Sequence, residues 1–276
     1  MPAGAPALAF YKEAADDNFM TNSVPANIIA MMNDDGPDIV VIDTLSGLKA
    51  INNGVDYLLA ANLTFGNFYL AATGHDDDGV MDSDDVIVLF GEKQNPDLLF
   101  HYLYGEQFDD NLEYVANVQD AAKCLIMGEN LLTDRKTDYV LLAQPALSAA
   151  LRKNADAYVY ADIQSLYQEK CGEEMIQASI FVNKNSDKKL VSAYLDKLAA
   201  DIDVLLSDAE VLYAVDLGRE EFASVYGIDV DTAVEVLRDN NGLGLGFTWA
   251  YENRAAIADF CSLFGFTEIN DEVYFK

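Results

Sequence analysis

Four uncharged polar residues, Ser23, Thr44, Asn67 and Gln144, stand where the chain is expected to turn between strands and helices. Such side chains carry no charge but donate and accept hydrogen bonds, which suits the holding of a small solute in a cleft. Aromatic residues gather near the same turns: Phe65, Phe68, Tyr69, Trp249 and Tyr251. Ring walls with a few polar groups are the usual composition of a small-molecule pocket. Each residue also has a structural reading, since aromatics fill cores and Ser23 and Thr44 are good helix caps.

Chemistry beyond binding finds little support. The two histidines, His75 and His101, fall on an expected loop and an expected helix, with nothing to suggest a triad. The sequence contains no GxSxG, HExxH or Walker lysine, so no catalytic residue and no cofactor is assigned and the chain is read as a non-enzyme. The acidic stretch 74–85 (GHDDDGVMDSDD) can be laid on an EF-type loop with Gly79 at position six, which puts Asp76, Asp78, Asp82 and Asp85 at liganding positions. Position one is then Gly74 and position twelve an aspartate, and no helix precedes it, so a solvated hinge loop is the expected role. GLGLGF at 242–247 lacks the spacing of a dinucleotide fingerprint and reads as a flexible connection. The three cysteines are far apart and form no CxxC, which supports neither a zinc site nor a disulfide framework.

The elements that position these residues are strands leading into helices. In 137–151, TDYVLLAQPALSAAL, an apolar run at 139–143 reads as a buried strand of a parallel sheet. Pro145 then opens a helix, tolerated there because the first helical N–H has no partner inside the helix. Pro6, Pro25 and Pro96 stand at three further expected helix starts. Other strands are expected at 38–42, 56–61, 67–73, 86–90, 112–115, 157–160 and 177–182, and from 187 onward the chain reads as almost purely helical. Crossovers between two lobes are placed near 84 and 180.

With 17 Lys and Arg against 47 Asp and Glu, the net charge is −30. That charge repels phosphate backbones and anionic membranes, so nucleic-acid and membrane-surface binding are excluded. A hydrophobic fraction of 51% excludes global disorder. No apolar run approaches the roughly 18–20 residues of a membrane span. Because the chain begins directly at a turn into a helix, an upstream segment with a strand and export signals is expected.

Taken in order, GAPALAFYKE, IDTLSGLKAINNG, TFGNFYLAA, FGEKQNPDLLFHYL and TDYVLLAQPALSAALRK resemble segments of the substrate-binding proteins of ABC importers, in the type II periplasmic binding fold. The branch that looks nearest is the group of thiamine-precursor, taurine and aliphatic-sulfonate binders. The resemblance implies an α/β protein of two lobes, each a sheet flanked by helices: 1–84 with 181–276, and 85–180, with a helical C-terminal tail on the first. It implies capture of a small organic solute in the inter-lobe cleft and delivery to ABC permease subunits, by a monomer outside the cytoplasm, periplasmic or anchored as a lipoprotein. The implied contacts are Gly4, Ala5, Ser23, Asp43, Thr44, Gly66, Asn67, Asn95 and Gln144, and Tyr69 and Trp249 join them as the aromatic wall. Gln144 departs from the family pattern, which often has Glu, and a neutral amide cannot pair with a cationic solute group there. Few basic residues fall nearby, so an anionic solute would rely on helix N-termini. Enzymes similar to chorismate dehydratase or pyrimidine synthases share this fold, as do sensory surface proteins, and fold alone does not separate them.

Overall fold

The computed structural model describes residues 1–276 except Asp17, Ser23, Val24, Asp76, Asp77, Asp78 and Asn240, and of Pro25 the backbone only. The chain forms two compact units, Met1–Gly66 with Met175–Lys276, and Asn67–Glu174. It opens with α1 (Ala5–Leu8), α2 (Pro25–Met31), β1 (Ile39–Asp43), α3 (Thr44–Asn52) and β2 (Tyr57–Thr64). The second unit holds β3 (Phe68–Ala72), β4 (Ile87–Phe90), α4 (Asn95–Tyr104), β5 (Leu112–Val115) and α5 (Val118–Met127). It continues through the two-residue strands β6 (Glu129–Asn130) and β7 (Arg135–Lys136) to β8 (Tyr139–Ala143), α6 (Ala146–Leu151), β9 (Tyr158–Asp162) and α7 (Ile163–Cys171). Back in the first unit come β10 (Ala178–Asn183), α8 (Lys188–Ser207), α9 (Arg219–Tyr226), α10 (Val230–Arg238), β11 (Leu245–Trp249) and α11 (Arg254–Ser262).

The first unit is built on a sheet of order β1-β10-β2-β11, every neighbour antiparallel. Its central strand β2 is buried along its whole length, so its sequence is a nearly continuous apolar run. Helix α8 starts where Asp187 accepts the Lys189 and Leu190 N–H groups. Its Val191, Leu195, Leu198, Ile202 and Leu205 recur at helical spacing and join Val41, Leu63, Ile180 and Val182 in one core. On α3, Gly47 lets the Phe181 ring approach: a Cβ there would lie 2.1 Å from the ring.

The second unit is built on a mixed sheet of order β5-β4-β8-β3-β9. Strand β4 runs parallel to β5 and β8, whereas β3 is antiparallel to β8 and β9. Helices α5 and α6 bring Ala121, Leu125, Leu147 and Ala150 onto Val88, Val140 and Leu142. Helices α4 and α7 pack on each other and on β4 and β3.

Three expectations are corrected. The chain changes units at Gly66/Asn67 and Glu174/Met175, not near 84 and 180, because β3 hydrogen-bonds to β8 and β9 rather than to β2. The stretch after 187 is not purely helical: the connection expected at GLGLGF leads straight into β11, which pairs with β2. Strand β8 has an antiparallel neighbour as well as a parallel one, since burial on both faces gives an apolar run in either case. The acidic stretch falls partly outside the described residues, Asp76 and Asp78 with it; Asp82 and Asp85 are tied to the loop backbone, Asp85 accepting the Asp82 N–H at 2.7 Å.

Candidate functional site

In the first unit the register aligns Asp43 with Ala178, Ala178 with Thr64, and Thr64 with Leu245. One end of the sheet therefore gathers Asp43, Thr44 and the turn at Gly66. Asp43 is the cap of α3, accepting the Ser46 N–H at 2.9 Å, and Thr44 is the first residue of the helix. Thr44 is fully buried, its hydroxyl 2.7 Å from that of Ser179. Ser179 donates to Asn62 Oδ1 at 3.1 Å, and Asn62 Nδ2 donates to Thr248 Oγ1 at 3.0 Å. A serine hydroxyl has one proton, so Thr44 is the donor to Ser179 and the seam runs one way, Thr44 to Ser179 to Asn62 to Thr248. Thr248 also accepts from Asn253 Nδ2 at 3.4 Å. Half-buried and doubly accepting, Thr248 keeps its own proton for a further acceptor.

Gly66, at φ 99°, packs on Gly244, at φ 60°. A Cβ on Gly244 would stand 1.8 Å from the Gly66 carbonyl oxygen, so glycine is required there. Trp249 lies on β11 opposite Ala61 and meets Phe247 edge to face at 5.4 Å. Gly4 and Ala5 belong to a different contact: the Gly4 N–H donates to Tyr226 O at 2.6 Å, fixing the start of α1 on the end of α9. Ser23 lies outside the described residues.

In the second unit Asn67, Tyr69, Asn95 and Gln144 share one end of the sheet. Phe68 pairs with Ala143, Tyr69 with Leu142 and Asp162, and the Phe68 and Phe90 rings meet at 6.0 Å just before the loop that leads to Asn95. Asn67 and Gln144 hold each other: Gln144 N–H donates to Asn67 O, and Asn67 Nδ2 to Gln144 O, both at 3.0 Å. The Gln144 side-chain carbonyl accepts the Ser148 N–H at 3.2 Å, leaving its NH2 group as the end that can serve a solute. Pro145 follows a cis bond and precedes the helix rather than opening it, α6 starting at Ala146.

Asn95 opens α4, whose entry is braced by Asp97. The buried Asp97 carboxylate accepts the Lys93 N–H at 2.6 Å and the Tyr114 hydroxyl at 2.9 Å. His101 Nδ1 lies 2.9 Å from it, and His101 Nε2 lies 3.1 Å from Asp109. Burial pulls the His101 pKa down, but the Asp97 carbonyl, the Asp97 carboxylate and Asp109 outweigh it, so the net shift is upward. Burial, and next the hydrogen bond to Asp97, push the Tyr114 phenol up. No group of three or more His, Cys, Asp or Glu side chains among the described residues could hold a metal ion.

Sequence reasoning missed Asn62, Ser179 and Thr248. The available signal for Asn62 and Ser179 was a polar residue in the interior of a mostly apolar strand, YLLAANLT and ASIFVN; Thr248 lies in a segment that did not read as a strand.

No protein-family model matches the chain, and no curated protein matches its sequence. Solved structures do. The chain is similar to an ABC transporter from Parabacteroides distasonis, with a TM-score of 0.77, 18% identity, and 99% of this chain and 95% of that one covered. It is similar to the periplasmic aliphatic sulphonate binding protein SsuA of Escherichia coli, with a TM-score of 0.67, 13% identity, and 95% and 84% covered. A third likeness, at TM-score 0.55 and 12% identity over 98% and 88%, is to a Candida albicans protein described as having the generic periplasmic binding protein fold. The structural neighbours thus include substrate-binding proteins of ABC transporters, and the chain has their periplasmic-binding-protein fold.

Proposed function

We propose that this chain is the extracytoplasmic solute-binding component of an ABC importer, taking up one small organic molecule and passing it to permease subunits. The observation that carries the reading is that each unit ends its sheet in uncharged polar groups already fixed by the protein. Thr248 is held by Asn62 and Asn253, and Gln144 by Asn67 and α6. Groups fixed in advance cost little ordering when a solute arrives. The aromatic side chains of Tyr69 and Trp249 supply apolar wall. None of the proposed contacts is a lysine or arginine, so the solute is read as neutral or as an anion held by backbone N–H groups. No helix among the described residues is long and apolar enough to cross a membrane, which is compatible with that role.

The test is native mass spectrometry of freshly purified protein against its denatured mass, followed by thermal-shift screening of sulfonates, thiamine precursors and purines. A ligand at 100 times its Kd raises stability by about 2.7 kcal/mol. Asn67→Ala and Trp249→Ala are each expected to weaken the hit about tenfold while remaining folded. Unchanged affinity in both variants, or turnover of the hit, would refute the proposal.

A further inference from the structure

The first unit contains a cavity of about 780 Å³ that involves none of the residues discussed so far as contacts. It is lined by the turn that follows α1 (Phe10, Glu13, Asp16, Phe19), by the entry to β1 (Asp38, Ile39) and by the first turns of α8 (Val191, Tyr194). Asp38 and Ile39 stand at the start of β1 and Asp43 at its end, roughly 13 Å away at about 3.3 Å per residue. The volume falls within the range of about 300–1,000 Å³ typical of ligand sites.

The lining has two parts. Phe10 and Val191 are buried, Phe19, Ile39 and Tyr194 half-buried, and together they make an apolar, partly aromatic wall. Glu13, Asp16 and Asp38 are the acids, and no lysine or arginine lines the cavity. Glu13 is already engaged, 3.2 Å from Lys197. Lys197 also meets Asp201 at 3.2 Å, and Lys12 meets Asp201 at 2.5 Å, so both lysines are already paired with carboxylates. Asp16 and Asp38 are exposed; the Asp16 carboxylate accepts from the Asn18 backbone and side-chain N–H groups, and the Asp38 carboxylate accepts the hydroxyl of the sequence-distant Ser186.

We infer that this cavity is a second binding site, for an organic cation with an apolar body of the alkylammonium class. The apolar part would lie against Phe10, Ile39 and Val191, and the charged head between the Asp16 and Asp38 carboxylates and the faces of Phe19 and Tyr194. Ring faces and carboxylates both favour a weakly hydrated cation and disfavour an anion.

The experiment is isothermal titration of the full chain with hexyltrimethylammonium, hexanesulfonate and hexanol at low ionic strength. Saturable binding of the cation is expected, with the sulfonate and the alcohol at least about tenfold weaker. The double variant Asp16→Asn/Asp38→Asn keeps at each exposed position one carbonyl oxygen able to accept the existing bond from Asn18 or Ser186, exchanges the other oxygen for an NH2 group, and removes the charge. It should bind the cation about tenfold more weakly and unfold at an unchanged temperature. Asn67→Ala and Trp249→Ala should bind it as the parent does. Absence of saturable binding, equal binding of the sulfonate, or a loss confined to the Asn67 and Trp249 variants would overturn the inference.

Discussion

Replacing Ser179 by alanine tests whether the polar seam holds the first unit together. Ser179 has neighbours at 2.7 Å (Thr44 Oγ1) and 3.1 Å (Asn62 Oδ1), and all three residues are fully buried. The substitution removes a single oxygen, so the void is small, but it strands the Thr44 hydroxyl and the Asn62 carbonyl without solvent. A buried polar group left unpaired costs about 1–3 kcal/mol, which puts the loss from the two at about 2–6 kcal/mol. For a unit of this size that corresponds to a fall in Tm of roughly 5–15 °C. The sequence has one tryptophan, Trp249, next to Thr248 on β11, so urea unfolding followed by its emission reads this unit directly. Thr44→Val in the Ser179→Ala background removes one of the two stranded groups, so the double variant should lose about 1–2 kcal/mol less than the sum of the singles. A Ser179→Ala loss below about 0.5 kcal/mol, or strict additivity, would refute the reasoning.

Two further outcomes follow from ionisable groups. His101 has its pKa raised from 6.5 by Asp97 and Asp109 against the pull of burial. A raised folded-state pKa contributes stability that is fully present below the unfolded value and is lost as pH rises through the folded one. The stability difference between the parent and His101→Gln should therefore shrink as pH rises above the unfolded value of 6.5; a difference that stays constant over that rise in urea unfolding would refute it. Burial pushes the Cys124 thiol up to about 11 and the Cys261 thiol up to about 12. Since the thiolate is the reactive form, a disulfide reagent at neutral pH should label the half-buried Cys171 in the native protein and all three cysteines after unfolding. Equal native labelling of all three would contradict the burial.

Legibility in the sequence followed locality. Helix α7 is bounded by the Asp162 cap and by Gly172 in the left-handed region, both local signals, and its limits are readable from the residues alone. The same holds for α5, between Asn117 and Gly128. What was not legible is which sheet a strand joins. Strands β2 and β3 are separated by Phe65, Gly66 and Asn67 and look like the arms of a hairpin, yet β2 pairs with β10 and β11 while β3 pairs with β8 and β9. That choice depends on partners more than sixty residues away and leaves no trace in TFGNFY itself. Strand β11 was hidden for a related reason: Gly242, Gly244 and Gly246 read as a loop, and only pairing with β2 makes the segment a strand. The candidate residues Thr44, Asn67 and Gln144 could be read only as polar residues at turns. That Asp43 rather than Thr44 caps α3, and that Thr44 turns inward to Ser179, required the structure.

The seam also explains an irregularity in the sheet that carries it. Both ladders flanking β2 lose regular register at the same level: Ala178 and Ser179 face Thr64 and Asn62, and Leu245 and Thr248 face the same two residues. At this level one residue of β2 is surplus against β10 and one of β11 is surplus against β2; a second β2 residue becomes surplus further along, between Ile180 and Phe181. Such bulges bend a strand and re-aim its side chains, and they concentrate near functional edges. Immediately after the two irregularities Ser179, Asn62 and Thr248 fall side by side, each bonded to the next across three strands. An all-apolar line at this level would tolerate a slip of either ladder, because one aliphatic contact substitutes for another. A one-residue slip here would instead leave the Asn62 amide unpaired on both sides in a site with no water access. The seam thus fixes the register at which Gly66 meets Gly244 and at which the Thr248 hydroxyl and the Trp249 ring are presented. In this unit the precision of the candidate surface originates in fully buried residues that no solute would need to touch.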